Sequence, residues 1–362
     1  MIGIFDKQAG IDLLDSKSAD KLNSLQRWHW AATFPIALGD VKIVREEGPL
    51  FSRLTVSRPG SVWPLTVITL PTNGKRIEFS NTLDKSKMPY VASLQTAEYY
   101  SFTFPLKFDS SSDVWVDDGI GFHRIPDDYL PGARTDAAVP QHSLVLTGNS
   151  AGRPLSVVLS ERQSFFNYLP GMPGVKDKSK FFNVIKAVAI RKQDQGDTRD
   201  LGMVNFAELE PGMEHIPMHF DFALTSRATQ PDFVNAYHAG MEFASPMLTT
   251  DLAPHTTPAT PSAAFFTIDA PNVVLLAFKP SADCDPNHYT VRLQEIAGKP
   301  ASANIGSVLR VSKAEETDMT EREVLRAVPV PIQLALKPHQ TITLRLTIPH
   351  ETKSRSHRWW EW

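Results

Sequence analysis

The sequence predicts an all-β protein that contains one large and one small β-sandwich. Two observations favour this fold class: apolar residues recur at every second position in several segments, and the 28 prolines outnumber the 19 glycines. Proline opposes long helices because it lacks the backbone N–H and its ring clashes with the preceding turn. The 362-residue length allows two domains or one unusually large β domain.

Strand periodicity is clearest in residues 101–108 and 341–348, and it returns in residues 76–80 after the turn signal Thr-Asn-Gly. Residues 155–159 and 273–278 are more continuously apolar, which is typical of strands covered on both faces. A strand that buries one face needs a second sheet to pack against, so the pattern predicts sandwiches.

Helical patterning is sparse. Residues 16–28 predict one short helix, and residues 320–323 open another with the character of a capping box. We expect both to connect strands and not to form a helical layer.

One stretch has the composition of a linker. Residues 246–262 carry four prolines, many threonines and few large apolar side chains. We therefore predict a large β domain over residues 1–245, this linker, a small β-sandwich over residues 263–349, and a tail over residues 350–362. The tail contains three tryptophans, and it could pack on the protein, bind a partner or be an extension.

Composition excludes several functions. The formal net charge of −3 leaves no basic excess to neutralise nucleic-acid phosphates or an anionic membrane surface. The single cysteine, Cys284, excludes an internal disulfide and a multi-thiolate metal site. No signal peptide is visible, and no run approaches the roughly 18 apolar residues of a membrane span, so we expect a soluble chain, cytoplasmic by default, whose compartment is otherwise unknown.

A series of short segments occurs in an order and spacing that resemble one known family. These segments are Gly3–Lys7 with Gly10–Asp15 and Leu22-Asn23, Glu47–Pro49 with Arg53–Val56, Arg76–Asp84, Tyr99–Pro105, Leu130–Asp136, Asn272–Pro280 with Tyr289–Leu293, and Ile332–Leu346. Together they resemble the C-terminal β region of glycoside hydrolase family 38, the α-mannosidase family. Residues 181–243 match that pattern least.

The resemblance implies a fold and a division of labour. Members of the family have an N-terminal α/β domain with a metal, usually zinc, and an aspartate nucleophile, then a helical bundle, then a β region that includes a mutarotase-like supersandwich. This chain resembles the last of these parts. The resemblance therefore implies a non-catalytic part with no catalytic residue and no cofactor of its own, and zinc is expected in the catalytic domain.

We found no substitute for that catalytic machinery in the sequence. His215 and His219 would share one face of a strand, but Pro217 opposes the helix on which a zinc pair is usually presented. The pairs 117–118 and 127–128 could act as acid and base, although adjacent aspartates more often form solvated turns.

Sugar contacts are expected from a different set of residues. Trp115 lies in an Asp-rich segment that we predict to be a loop, where its flat ring could stack on a sugar. The predicted carbohydrate-binding residues are Trp115, Asp117, Asp118, His123, Arg134, Asp136, Glu161 and Arg162. The alternative for Arg134 and Asp136 is a structural ion pair.

Three functions stay open at this point. The chain could be the scaffolding part of an α-mannosidase, a stand-alone carbohydrate-binding module, or a sugar epimerase or lyase on a mutarotase-like sandwich. The expected partners are a mannoside-type glycan and either a separate catalytic domain or a second copy of the chain, with no nucleic acid and no membrane. We predict that the docking surface lies in the apolar first 30 residues, which include Leu13 and Leu14.

Overall fold

The protein divides into two units, residues 1–247 and residues 248–362, in the computed structural model. The structure describes residues 3–16, 22–29, 32–34, 36, 38–84, 87, 98–109, 112–125, 127–133, 137–138, 140–162, 166–168, 182–190, 217–248 and 264–349.

In the first unit, the elements are β1 (Phe5–Asp6), β2 (Ile11–Asp12), β3 (Ser24–His29), β4 (Ala32–Phe34), β5 (Lys42–Glu47), β6 (Phe51–Ser57), β7 (Leu65–Pro71), β8 (Ile77–Leu83), β9 (Glu98–Thr103), β10 (Pro105–Leu106), β11 (Asp113–Asp117), β12 (Phe122–Ile125), β13 (Ala137–Ala138), β14 (Ser143–Ser150), β15 (Arg153–Arg162), β16 (Phe166–Tyr168), β17 (Phe182–Ile190), β18 (Met218–Arg227) and α1 (Phe233–Ala244). In the second unit, they are β19 (Phe266–Ile268), β20 (Val273–Pro280), β21 (His288–Glu295), β22 (Ala301–Ser307), β23 (Lys313–Thr317), β24 (Val324–Val328), β25 (Ile332–Leu336) and β26 (Thr341–Thr347).

The first unit is built on two large sheets. One has nine strands in the order β12-β11-β14-β15-β18-β8-β7-β6-β5, and the other has seven, in the order β13-β16-β17-β9-β3-β4 with β10 paired to β17. Neighbouring strands run antiparallel, as in the long pairs β14–β15 and β15–β18. The all-β prediction is therefore confirmed.

Aromatic side chains join the two large sheets. Phe222 on β18 packs edge-on against Phe102 on β9, with ring centroids 5.6 Å apart, and against Phe104 at 5.1 Å. Phe79 on β8 meets Phe104 at 5.7 Å. All four rings are almost fully buried. We call these four residues the phenylalanine cluster; edge-to-face packing of this kind adds to the stabilisation that burial itself gives.

β15 lies between this core and a second layer. Leu155, Val157 and Leu159 point into the main core, while Val158 packs with Val145 on the opposite face of the sheet. The prediction that residues 155–159 are covered on both faces is thus confirmed. Helix α1 supplies the cover on that opposite face.

Helix α1 is the element that the sequence pattern missed. Its N-cap is Asp232, whose carboxylate accepts a hydrogen bond from the backbone N–H of Asn235. Gly240 lets the helix approach the sheet closely, because a Cβ at that position would lie 2.9 Å from the Cβ of His142. No helix in the described part of the chain has the length and apolarity needed to span a membrane.

The two short helices predicted from the sequence are wrong where the structure describes them. Residues 24–29 form strand β3, and residues 17–21 lie outside the described residues. Residues 318–321 form a turn in which the Asp318 carboxylate accepts hydrogen bonds from the backbone N–H groups of Arg322 and Glu323. Glu321 has a φ of 65°, which an α-helix does not allow.

The second unit is a sandwich of a three-stranded sheet, β19-β22-β25, and a five-stranded sheet, β20-β21-β26-β23-β24. In β25, Ile332, Leu334 and Leu336 are buried, and the intervening residues are exposed. The prediction that residues 273–278 are covered on both faces is wrong, because β20 is an edge strand and Leu276 is 40% exposed.

The predicted docking surface in the first 30 residues is corrected at two positions. Leu13 and Leu14 are only 2% and 4% exposed, and both belong to the main core of the first unit. Of the residues in that prediction, Phe5 is exposed, whereas Trp30 lies outside the described residues.

We predict that Phe222→Ala lowers the free energy of unfolding by about 3 to 5 kcal/mol, because it leaves a cavity at the centre of the phenylalanine cluster. Urea unfolding of the purified chain measures this loss. The matched control is Leu130→Ala, at a side chain that is 81% exposed, and we expect a change within about 0.5 kcal/mol. Equal losses in the two variants would contradict the assignment of this cluster as the core.

Candidate functional site

A cavity of about 400 Å³ lies between helix α1 and the outer face of the nine-stranded sheet. Its floor comes from β14, β15 and β18, one wall is α1, and the other wall is the turn from Pro71 to Arg76 between β7 and β8. We call this cavity the α1 trough. Its size lies at the small end of the range for small-molecule sites.

The register of the strands builds the floor of the trough. Ser156 on β15 pairs with Arg227 on β18, and two residues along, Val158 pairs with Thr225. Ser160 and Ala223 form the next pair on the same face. The floor therefore alternates hydroxyl groups with small apolar side chains.

An arginine and a carboxylate lie at each end of the trough. Arg76 of the turn has its Nη1 atom 3.9 Å from Oε2 of Glu242 on α1, and its Nε donates to Glu78 at 2.6 Å. At the other end, Arg227 interacts electrostatically with Asp232. The trough thus carries charges of both signs, and each is close to its opposite.

Asp232 of the trough is a poor candidate for a general acid. Burial acts to raise the pKa of Asp232, but hydrogen bonds from Asn235 and the charge of Arg227 outweigh it and hold that pKa below its ordinary value. A general acid at neutral pH needs a raised pKa instead.

A lowered pKa recurs elsewhere in the described chain. Nine described carboxyl groups, Asp232 among them, have a pKa clearly below its ordinary value, and that of Asp318 falls to about 2. These groups are Asp6, Asp109, Asp232, Asp269, Asp283, Glu295, Glu315, Asp318 and Glu321. They are ionised acceptors that hold turns and ion pairs.

Trp115, the first of the sequence-predicted sugar residues, packs against the start of α1. Trp115 lies in strand β11, not in a loop as predicted, and its ring centroid is 4.8 Å from that of Phe233 at the start of α1. Its indole N–H donates to the hydroxyl of Thr147 at 3.2 Å. The half-buried ring helps to hold α1 on the sheet.

The adjacent aspartates have different environments. Asp117 is fully buried, with Oδ2 2.8 Å from Nδ1 of His142 and Oδ1 accepting the N–H of Gly119. Asp118 accepts the N–H groups of Ile120 and Gly121 and so closes the β11–β12 turn. Both act as local structural acceptors.

The other predicted residues are partly described. Nε2 of His123 lies 3.2 Å from the hydroxyl of Tyr129, and Nδ1 lies 3.5 Å from Oδ2 of Asp118. Glu161 is buried at 2% exposure, and its backbone N–H donates to the carbonyl of His142. In the ladder between β15 and β18, the backbone of Arg162 lies opposite that of Asp221. The side chain of Arg162 lies outside the described part of the chain.

Arg134 and Asp136 lie outside the described residues, and so does His215. His219 is an exposed residue of β18, with Nδ1 3.3 Å from the hydroxyl of Thr82. The described residues contain no group of three or more histidine, cysteine, aspartate or glutamate side chains that could hold a metal ion. Trp115, Asp117, Asp118 and His123 share one hairpin region, but none of the described sugar candidates lines the α1 trough. Their role in binding sugar stays a prediction.

The turn that forms one wall of the trough is held by an ion pair between Lys75 and the buried Asp6. Nζ of Lys75 lies 2.7 Å from Oδ2 of Asp6, a carboxylate that is almost fully buried and also accepts the hydroxyl of Ser226 and the N–H of Ala9. Burial acts to raise the pKa of Asp6, but Lys75 and these hydrogen bonds outweigh it, so the pKa lies below its ordinary value.

We predict that Asp6→Asn lowers the free energy of unfolding by about 1 to 3 kcal/mol at about pH 7, because it removes the charge that pairs with Lys75 in a buried site. The contribution of a carboxylate with a lowered pKa is complete above its unfolded pKa of about 3.9 and is lost as the pH falls through the folded pKa. Urea unfolding of both proteins from about pH 7 to about pH 3 should therefore show their difference shrinking. A difference independent of pH would contradict the charge-based account.

Comparison with known proteins finds similarity to glycoside hydrolases of family 38. Residues 272–344 match the model of the glycosyl hydrolases family 38 C-terminal beta sandwich domain. The fold is similar to that of an alpha-mannosidase from Enterococcus faecalis V583, with a TM-score of 0.62 and 12% identity, over 95% of this chain and 40% of that chain. It is also similar to a family 38 protein from Enterococcus faecalis, with a TM-score of 0.60, 12% identity, and coverage of 95% and 41%.

At 12% identity these two likenesses concern the fold, and the family model matches residues 272–344, within the second unit. Together they confirm the resemblance to the C-terminal β region of family 38. The chain spans about 40% of the length of the solved structures that it matches. A search of the curated proteins finds no match.

Proposed function

We propose that this chain, which carries the C-terminal β-sandwich of glycosyl hydrolases family 38, is the non-catalytic scaffolding part of an α-mannosidase-type glycoside hydrolase. The observation that carries the proposal is the fold match: 95% of the chain aligns with only 40% of an alpha-mannosidase. The catalytic apparatus, including zinc, is supplied by an α/β part. The chain contributes the surface on which that part docks, together with sugar contacts beside it.

The chemistry of the described residues supports a scaffolding role. A retaining glycosidase needs two carboxyl groups about 5 Å apart, one of which acts as an acid with a raised pKa. The pKa values of nine described carboxyl groups are instead lowered, as for Glu321, which is held by Lys279 and Thr290. Such groups stabilise the fold and stay ionised.

One edge of the nine-stranded sheet supports the proposal of a docking surface. Strand β5 is the last strand of that sheet and is exposed along its whole length. We call β5 and β6, with the residues that flank them, the edge arm. Its exposed large apolar side chains are Val41, Ile43, Val44, Leu50 and Leu54.

The edge arm has the properties of a surface that another chain covers. An edge strand presents unpaired backbone groups, and contiguous exposed apolar residues mark protein interaction sites. Ile43 is 63% exposed and Leu50 is 71% exposed. We therefore assign docking of the α/β part to the edge arm, and we expect a second copy of the chain to occupy it when that part is absent.

The proposed scaffolding role predicts that the chain alone has no mannosidase activity. The purified 362-residue chain should not hydrolyse an aryl α-mannoside, with or without added zinc, because the nucleophile and the metal site belong to the other part. The enterococcal α-mannosidase, assayed alongside, serves as the positive control. Turnover by the chain alone, in proportion to its concentration, would show that it contains a complete active site and would overturn the proposal.

The assignment of the edge arm predicts that the isolated chain associates with itself. We expect the isolated chain to form dimers or larger species in light scattering, and the double variant Ile43→Lys/Leu54→Lys to shift the population to monomer, because charges on the edge arm oppose strand pairing. The matched control is Leu130→Lys, at an exposed leucine away from the arm, which should associate like the unmodified chain. A clean monomer of the unmodified chain would contradict the assignment of the edge arm.

A further inference from the structure

The turn between β7 and β8 carries the single Asn-Gly step of the sequence, Asn73-Gly74. This dipeptide suits the tight turn of a hairpin. It is also prone to a covalent rearrangement, because asparagine is a thermolabile residue whose side-chain amide can be attacked by the backbone nitrogen of the next residue. The scaffolding role makes no use of this step.

The rearrangement needs only the chain and water. The backbone nitrogen of Gly74, after losing its proton to solvent base, forms a bond with Cγ of Asn73. The Cγ–Nδ2 bond breaks, and Nδ2 takes a proton from solvent and leaves as ammonia, so that a cyclic imide (a succinimide) remains. Water then opens this ring at Cγ to give aspartate, or at the backbone carbonyl to give isoaspartate, in which the chain runs through Cγ. No oxidant or reductant takes part.

Both reacting groups are accessible at this turn. Asn73 and Gly74 are exposed, and so is Lys75. In the part of the chain that the structure describes, no hydrogen bond holds the N–H of Gly74 or the side-chain amide of Asn73. Glycine also leaves the attacking nitrogen unhindered, because it has no Cβ. The nitrogen and the amide can therefore meet without breaking a native hydrogen bond.

A second step shows how the fold protects a site of this kind. Asp118-Gly119 is the single Asp-Gly step of the sequence, and it could form the same cyclic imide. There the N–H of Gly119 donates to Oδ1 of Asp117 at 2.8 Å. The Asp118 carboxylate accepts the N–H groups of Ile120 and Gly121. Ring closure would cost these hydrogen bonds, whereas it costs none at the Asn-Gly step.

The Asn-Gly step lies between two points at which the turn is held. On one side, the N–H of Thr72 donates to the carbonyl of Leu50 at 2.9 Å. On the other side, the hydroxyl of Thr225 donates to the carbonyl of Lys75, whose Nζ lies 2.7 Å from Oδ2 of Asp6. Isoaspartate adds a carbon atom to the backbone between these two points, and both products add a negative charge. A change at the step is therefore transmitted to the Lys75–Asp6 ion pair.

We propose that Asn73 is a site of spontaneous deamidation through a succinimide, which makes the neutral tip of the β7–β8 turn acidic and weakens the Lys75–Asp6 ion pair. The proposal concerns a covalent change in the first unit and does not rest on the scaffolding role. It applies whether or not an α/β part docks on the edge arm.

Incubation of the full chain in mildly alkaline buffer made with heavy-oxygen water, followed by peptide mass spectrometry, tests the site. The peptide that contains Asn73 should take up heavy oxygen as its amide becomes an acid, and fragmentation should show aspartate and isoaspartate at position 73. The peptide that contains Asp118 should show no isoaspartate. Ion-exchange chromatography should resolve a more acidic species that elutes with the variant Asn73→Asp.

The variant Gly74→Ala should slow the reaction on the order of tenfold, the factor that corresponds to a barrier about 1.4 kcal/mol higher, because a Cβ hinders the attacking nitrogen. The fold has room for this alanine, since the added Cβ would meet only Cβ of Pro71 at 3.9 Å. The matched control is Gly48→Ala in the β5–β6 turn, where the added Cβ would meet the carbonyl oxygen of Phe51 at 3.7 Å. It leaves the Asn-Gly step intact and should react like the unmodified chain.

Urea unfolding of fresh and incubated chain tests the effect on the ion pair. Incubation should lower the urea midpoint of the unmodified chain, and it should lower that of Asp6→Asn less, because this variant lacks the carboxylate that pairs with Lys75.

Three results would overturn the site: Asn73 keeps its amide, Gly74→Ala reacts as fast as Gly48→Ala, or isoaspartate forms as readily at position 118 as at position 73. Equal shifts of the urea midpoint in the unmodified chain and in Asp6→Asn would overturn the proposed effect on the ion pair.

Discussion

Contact between the two large sheets through the phenylalanine cluster sets the position of the other features of the first unit. Because Phe79 and Phe222 turn one face of the nine-stranded sheet toward the core, the alternation of the strands turns Ala223 and Thr225 outward. That outward face is where α1 packs and where the trough forms. A register slip of one residue in β18 would exchange the two faces and remove both the core and the trough.

Two residues in the segments that resemble family 38, Asn81 and Asp6, stabilise the fold through buried hydrogen bonds. Asn81 is fully buried, exchanges two hydrogen bonds of 2.9 Å with Asn23 and accepts the indole N–H of Trp63. Asp6 similarly ties the first turn of the chain to Lys75 and Ser226. Buried polar groups whose hydrogen bonds are all satisfied specify one arrangement of the chain. This gives a physical reason why segments that only build the β-sheets resemble the family.

The sequence predicted the parts of the fold that depend on local periodicity. Residues 341–347 form β26 with Ile342, Leu344 and Leu346 buried, as alternation indicates. Helix α1 was missed because its signal is short: Asp232 followed by twelve residues without proline, in a region that matched the family least. The apolar run of β20 led to a wrong prediction of its burial. That burial depends on the position of β20 at the edge of a sheet, and the local sequence does not determine this position.

The site was harder to predict than the fold. The trough brings the turn at residues 71–76 together with β15, β18 and α1, and strand register alone places Ser156 beside Arg227. Asp117 and Asp118 show that neighbours in sequence can also have different roles. Asp117 is buried against His142, whereas Asp118 closes a turn. Chemistry assembled from distant segments leaves no local pattern to find.

The central claim is that this chain is one part of a two-part hydrolase, and reconstitution tests it most directly. A family 38 α/β catalytic part, expressed separately from the same source, would be titrated with the chain while hydrolysis of an aryl α-mannoside is followed. The account predicts that activity rises with added chain and reaches a plateau at equal amounts of the two proteins, and that the edge-arm variant Ile43→Lys/Leu54→Lys needs a higher concentration. Activity of the α/β part that is independent of the chain at every ratio would contradict it.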